Sequence, residues 1–113
     1  MIKIYHNKRC KKSREGLELL KQTGKEFQII NYLENPLGTL ELEKIINLLR
    51  IAPIDLIRKN ESIWKTEFKG KTLTDLEIVK AMAKYPKLIE RPIIVTKNSA
   101  IIGRPPERIF EIV

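Results

Sequence analysis

The sequence predicts an α/β fold: a mixed four-stranded sheet, with two parallel strands and an antiparallel C-terminal hairpin, flanked by helices and carrying a helical insertion between strands 2 and 3. Three observations lead there. Residues 1–32 read as strand, helix, strand; the segment at about 38–85 has helical periodicity; and residues 93–113 hold two β-branched runs around a short turn, then a proline-led helix.

Taken in order, Met1-Ile2-Lys3-Ile4-Tyr5 is β-branched and aromatic, as a short buried strand requires, and a polar, cationic loop follows it. Ser13, Leu17, Leu20 and the flanking Leu19 then make a helical stripe that runs to Gly24, a C-terminal stop. Phe27 to Tyr32 is the second strand, and Asn35-Pro36-Leu37-Gly38 is a loop by its Pro and Gly content. Thr39 is the expected cap of a second helix, whose Leu42, Ile45, Ile46 and Leu49 share a face. Pro53 opens a shorter helical piece through Ile57. Glu61 to Thr66 is ambiguous. After Gly70, Thr74 precedes a third amphipathic helix that buries Leu76, Val79 and Ala83 and ends before Pro86. Ile93–Thr96 and Ala100–Gly103 flank Lys97-Asn98-Ser99 as a hairpin, and Pro105 or Pro106 opens a last helix carrying Ile109, Phe110 and Val113. A helical crossover makes strands 1 and 2 parallel, whereas the hairpin is antiparallel. That order is the thioredoxin arrangement with central helices inserted.

The 113 residues fit one domain, 1–113, with the insertion at about 38–85. With 42% hydrophobic and 32% charged residues the chain is neither disordered by composition nor membranous, and no apolar run reaches the ~20 residues of a spanning helix. No secretory signal pattern opens it, so a cytoplasmic location is expected, where a single cysteine stays reduced. The net charge of +8 would suit a nucleic-acid binder, but Lys8, Arg9, Lys11, Lys12 and Arg14 are concentrated in positions 8–14 with no acid among them. Such focusing favours a small anion over a long phosphate backbone, and no recognition helix or aromatic platform argues otherwise. Trp64 and Tyr85 read as core or rim residues.

The single cysteine, Cys10, lies inside that basic run, where the first strand hands over to the first helix. Orphan N–H groups, the positive helix end and adjacent cations all favour its thiolate, so it reads as a nucleophile at neutral pH. Burial as a small apolar side chain is the competing reading, and it is costly among four near cations. Ser13 stands where a Cys-x-x-Cys pair would have its second thiol, so a disulfide step needs an external thiol. Ser13 is either an N-cap or first-turn residue or a hydroxyl donor to the thiolate; His6 either assists proton transfer or tunes Cys10, or is a simple loop histidine; Asn7 shapes the turn. Arg58, Arg91 and Arg104 fall at loops or element ends, and Arg91 and Arg104 belong at the same end of the hairpin. Their forked donors match tetrahedral oxyanions. No metal site is expected.

Tyr5-His6-Asn7-Lys8-Arg9-Cys10-Lys11-Lys12-Ser13-Arg14, Tyr32-Leu33-Glu34-Asn35-Pro36, Arg58-Lys59-Asn60-Glu61, Arg91-Pro92-Ile93 and Arg104-Pro105 together resemble the glutaredoxin-coupled arsenate reductase family, over nearly the whole chain. The resemblance implies a thioredoxin-like fold with a helical insertion, and Pro92 as the cis-proline facing the cysteine. It implies Cys10 as nucleophile toward arsenate, Arg58, Arg91 and Arg104 as ligands of its oxygens that also lower the thiol pKa, and His6 and Ser13 in support. It further implies no bound cofactor, glutathione or a similar small thiol as co-substrate, and glutaredoxin as the partner that completes reduction to arsenite. A monomer is expected, with no membrane or nucleic-acid partner. Lys8 replaces the usual proline, Pro106 replaces a small polar residue, and Lys11 and Lys12 make the loop unusually basic. The same fold resembles Spx-type regulators that bind RNA polymerase, but those carry a Cys-x-x-Cys switch that Ser13 removes. A family member acting on a different oxyanion or thiol is the other alternative.

Overall fold

The computed structural model describes residues 1–113. Contacts divide the chain into two compact units, one made of Met1–Asn35 with Arg91–Val113 and the other of Pro36–Glu90.

In the first unit, strand β1 (Ile2–Tyr5) leads through a polar loop to helix α1 (Lys11–Gln22) and then to β2 (Phe27–Ile30). The chain re-enters this unit as the hairpin of β3 (Ile93–Val95) and β4 (Ala100–Ile102), and ends in a 3₁₀ helix over Pro106–Glu111. The sheet order is β2-β1-β3-β4: β1 pairs parallel with β2 and antiparallel with β3, and β3 pairs antiparallel with β4. This is the mixed four-stranded sheet expected from the pattern of strands and connections. β1 is central because its Ile4 lies opposite Ile29 on one side and Ile94 on the other. Ile4, Leu20, Ile94 and Ile109 are fully buried together, with Ile2, Leu17, Phe27 and Ile101 packed against them. Burying each such side chain is worth about 2 kcal/mol, which fixes α1 and the C-terminal turn against the sheet.

Helix α1 starts at Lys11 with Cys10 as its N-cap residue, so Ser13 is in the first turn and does not cap. The helix closes at Thr23, and Gly24 takes the left-handed φ of +71° that a β-carbon would disfavour. The second strand is shorter than expected: Tyr32 is buried in the turn after it. The last element is 3₁₀ in place of α, since Arg108 N–H and Ile112 N–H donate three residues back, to Pro105 and Ile109. It buries Ile109, whereas Phe110 is 52% exposed. The Arg91–Pro92 and Arg104–Pro105 peptide bonds are both cis.

The second unit is helical: α2 (Thr39–Leu49), a 3₁₀ turn at Pro53–Leu56, α3 (Ser62–Glu67), α4 (Asp75–Lys84) and a 3₁₀ turn at Pro86–Leu88. The ambiguous stretch around 61–66 is therefore helix. Leu42, Ile45, Ile46, Val79 and Met82 are buried in it. Two expectations fail locally. Gly38, not Thr39, is the N-cap of α2, with no side-chain cap. On α4 the buried stripe is Ile78, Val79, Ala81 and Met82, and Leu76, two residues ahead of it, is half exposed. Thr74 does cap α4: its Oγ accepts from Glu77 N–H while Glu77 Oε1 accepts from Thr74 N–H. Trp64 stacks on Phe68 at 5.6 Å between centroids, and Phe68 meets Tyr85 edge-on at 6.0 Å.

Candidate active site around Cys10

The loop between β1 and α1 is held by its own hydrogen bonds. His6 N–H donates to Ile30 O at 2.9 Å, carrying the parallel pairing of β1 and β2 past the end of the strands. Asn7 then organises the turn: its Oδ1 accepts from Arg9 N–H at 3.0 Å and its carbonyl from Cys10 N–H at 3.0 Å. Its own N–H donates to Ser13 Oγ at 3.0 Å. Arg14 Nη1 closes the loop from outside by donating to Lys8 O at 3.1 Å.

Ser13 is fully buried, and its Oγ shares a 2.7 Å hydrogen bond with His6 Nδ1. Burial, with smaller contributions from the charges of Arg14 and Lys21, holds the pKa of His6 below its ordinary value, so its ring is neutral at pH 7. The hydroxyl that the sequence offered as a donor to the thiolate thus faces His6 and Asn7. Ser13 reaches the sulfur through its backbone N–H.

Cys10 is partly exposed, in extended conformation with φ −95° and ψ 122°. Burial pushes its thiol pKa up, but opposing groups prevail: a hydrogen bond from the Arg91 side chain, the Ser13 N–H, the Arg91 charge and the Lys12 N–H together bring it down to about 7. The groups that stabilise the thiolate are thus the first-turn amides and an arginine distant in sequence. The sequence had credited the same helix-start amides, and the family resemblance Arg91; the adjacent cations Arg9 and Lys11, expected to add to them, are not among the groups that act.

Arg91 and Arg104 bracket the hairpin as expected. Ile93 pairs with Ile102, Gly103 N–H donates to Pro92 O at 2.8 Å, and Arg104 Nη1 donates to Arg91 O at 3.2 Å. Arg104 thereby braces the backbone from which Arg91 reaches Cys10. Arg58 lies in the other unit, its side chain 14% exposed, with Nε 3.6 Å from Glu90 and 3.8 Å from Glu61. Its backbone N–H donates to Leu88 O at 2.7 Å.

Two glycines escaped the sequence reading. A β-carbon on Gly16 would stand 2.8 Å from Pro92 Cγ, and one on Gly103 would stand 3.0 Å from the same atom. The Pro92 ring is clasped between α1 and the end of β4, which sets the spacing between the helix bearing Cys10 and the strand entered by Arg91. An interior helical glycine costs about 1 kcal/mol against alanine, and that cost was the available signal of a close approach.

No group of three or more His, Cys, Asp or Glu side chains is placed to hold a metal, and no helix is long and apolar enough to cross a membrane.

A thioredoxin-like sheet with one cysteine capping its first helix, and an arginine from the strand-3 entry on the sulfur, defines a single-cysteine thiol site on that fold. Comparison with known proteins agrees: the model of the ArsC family matches residues 5–112. The chain belongs to the ArsC family. Among relatives, the uncharacterized protein YfgD of Escherichia coli is 42% identical over 114 residues, spanning 99% of this chain and 96% of that protein. The arsenate reductase of Neisseria meningitidis is 36% identical over 110 residues, spanning 96% of this chain and 94% of that one. The solved structure of the arsenate reductase from Vibrio cholerae superposes with a TM-score of 0.95 at 41% identity, covering 99% of this chain and 97% of that one.

Proposed function

We propose that this protein is an arsenate reductase in which Cys10 is the nucleophile, regenerated by glutathione and glutaredoxin. The observation that carries the reading is the Arg91 side chain hydrogen-bonded to the thiol of the α1 N-cap residue, whose pKa is brought to about 7, in a chain whose relatives include proteins named arsenate reductase.

The chemistry follows from one sulfur. The Cys10 thiolate attacks arsenic(V), forming an S–As bond, and one arsenate oxygen leaves as water after protonation. Arsenic stays arsenic(V) in this step, since the S–As bond replaces an As–O bond. Arg91 and Arg104 neutralise the oxyanion by forked hydrogen bonds, a role that the family resemblance also gives to Arg58. Glutathione then attacks the Cys10 sulfur: an S–S bond forms, the S–As bond breaks, and its electron pair stays on arsenic as arsenite, so two thiols are oxidised as arsenic(V) becomes arsenic(III). Arsenite thus leaves at the glutathione step, and the part left to glutaredoxin, expected to complete the reduction, is to complete the cycle: it takes the glutathionyl group from the mixed disulfide and returns the Cys10 thiol. His6 and Ser13 act as positioning residues, since they hold the loop that aims Cys10 and its first-turn amides. These thiols belong to a reducing compartment such as the cytoplasm.

The test is arsenate-dependent thiol oxidation with glutathione and glutaredoxin, for the wild type beside Cys10→Ser. Turnover by the wild type alone is expected. Arsenate-dependent turnover retained by Cys10→Ser would remove Cys10 as the nucleophile, and none by the wild type would remove arsenate as the substrate.

A further inference from the structure

The cationic loop carries more charge than thiolate stabilisation uses. Three of its five cations are engaged: Lys8 Nζ pairs with Glu34 at 3.0 Å, Lys12 Nζ with Glu15 at 3.7 Å, and Arg14 donates to Lys8 O. Arg9 and Lys11 have neither ion pair nor side-chain hydrogen bond, both are exposed, and they are the two residues that flank Cys10. Neither is among the groups that lower the Cys10 pKa. Unpaired cations on both sides of a redox sulfur form an entry field for an anion that must approach that sulfur.

Resting on the reading of Cys10 as a sulfur resolved by an external thiol, we propose that Arg9 and Lys11 are the specificity-determining residues for that thiol, selecting one that bears carboxylates. The chain has no second cysteine, so the resolving sulfur must come from outside. An incoming thiolate forms an S–S bond with Cys10 and expels the group bound there with the bonding electron pair. Its carboxylates meet Arg9 and Lys11 during the approach, whatever group is leaving. Exposed pairs of this kind are worth several-fold each at low ionic strength and are screened at high salt.

The experiment isolates this step from arsenate. In the full-length protein, Cys10 is converted to its mixed disulfide with the uncharged 2-thiopyridyl group, and the rate of thiopyridone release is measured with glutathione and with glutathione diethyl ester, which lacks free carboxylates. The expected result is that the glutathione-to-ester rate ratio falls roughly threefold in Arg9→Gln and in Lys11→Gln, and about tenfold in the double variant at low salt. At about 1 M salt, where the screening length is ~3 Å, the wild-type ratio should fall toward that of the double variant. An unchanged ratio in the double variant, or equal slowing with both thiols, overturns the proposal. Since the readout contains no arsenic, a fallen ratio beside absent arsenate turnover would leave the thiol site standing and remove the proposed substrate alone.

Discussion

The Arg91 side chain hydrogen-bonds the Cys10 thiol, joining a residue two positions ahead of β3 to the N-cap residue of α1. Eighty positions of sequence close on one sulfur because β1 and β3 are neighbours in the sheet, Tyr5 pairing with Ile93. Cys10 follows the end of β1 and Arg91 comes before the start of β3, at the same end of that pair of strands.

Replacing Arg91 by Lys keeps the charge and loses the planar fork. Oxyanion binding, read as protection of Cys10 from alkylation by arsenate or phosphate, is expected to weaken about tenfold, while the thiol keeps part of its acidity. Undiminished protection would take Arg91 out of the oxyanion site.

Ser13→Ala removes a buried hydroxyl that serves both Asn7 N–H and His6 Nδ1. Chemical denaturation should show a loss of about 1–3 kcal/mol, because the loop's buried polar groups lose a partner. The Cys10 pKa should hardly move, since Ser13 contributes its backbone N–H there. A large pKa rise with intact stability would instead put the hydroxyl on the thiolate.

Gly16→Ala adds helix propensity worth about 1 kcal/mol but drives a methyl into the Pro92 ring. The clash is expected to prevail, with a net loss of about 1–2 kcal/mol and a slower-reacting Cys10 at pH 7, because Pro92 sets the position of Arg91. A stabilised variant with unaltered thiol reactivity would show that the clasp has slack.

The folded state lowers the Cys10 pKa to about 7, so between there and the ordinary thiol value the unfolded chain binds more protons. Cys10 ionisation therefore adds stability as pH rises through that window, and the contribution is lost as pH falls through about 7. The stability difference between wild type and Cys10→Ser should grow from pH 6 to pH 9. His6 has its own window below its ordinary value: its pKa is depressed in the folded state, so its contribution is lost on further acidification. A flat wild-type-minus-Cys10→Ser difference across the alkaline window would contradict the assignment for Cys10.

Sequence periodicity carried the fold because local signals agreed with the final packing. Ile4 and Ile94 lie in β-branched runs, Leu20 sits on a helical stripe, and Pro and Gly punctuate the turns between. The pairing of Arg91 with Arg104 was legible for the same reason, since both flank one hairpin. What was hidden depends on contacts between distant segments. Nothing near Ser13 in sequence says that its hydroxyl turns to His6, and nothing near Cys10 says that Arg91 outweighs Arg9 and Lys11. Gly38 in place of Thr39 as the N-cap of α2 is a smaller miss: both residue types occur at caps, so residue type alone does not choose between the two neighbours.

The central claim is that Arg91 and the first-turn amides hold Cys10 as a thiolate near neutrality. Its most direct measurement is the pH dependence of Cys10 alkylation by a neutral reagent, in the wild type and in Arg91→Ala. The account predicts a wild-type midpoint at about 7, and a midpoint in the variant displaced upward toward the free-thiol value of about 8.5. A wild-type midpoint already at the free-thiol value, or one that Arg91→Ala leaves in place, would contradict it.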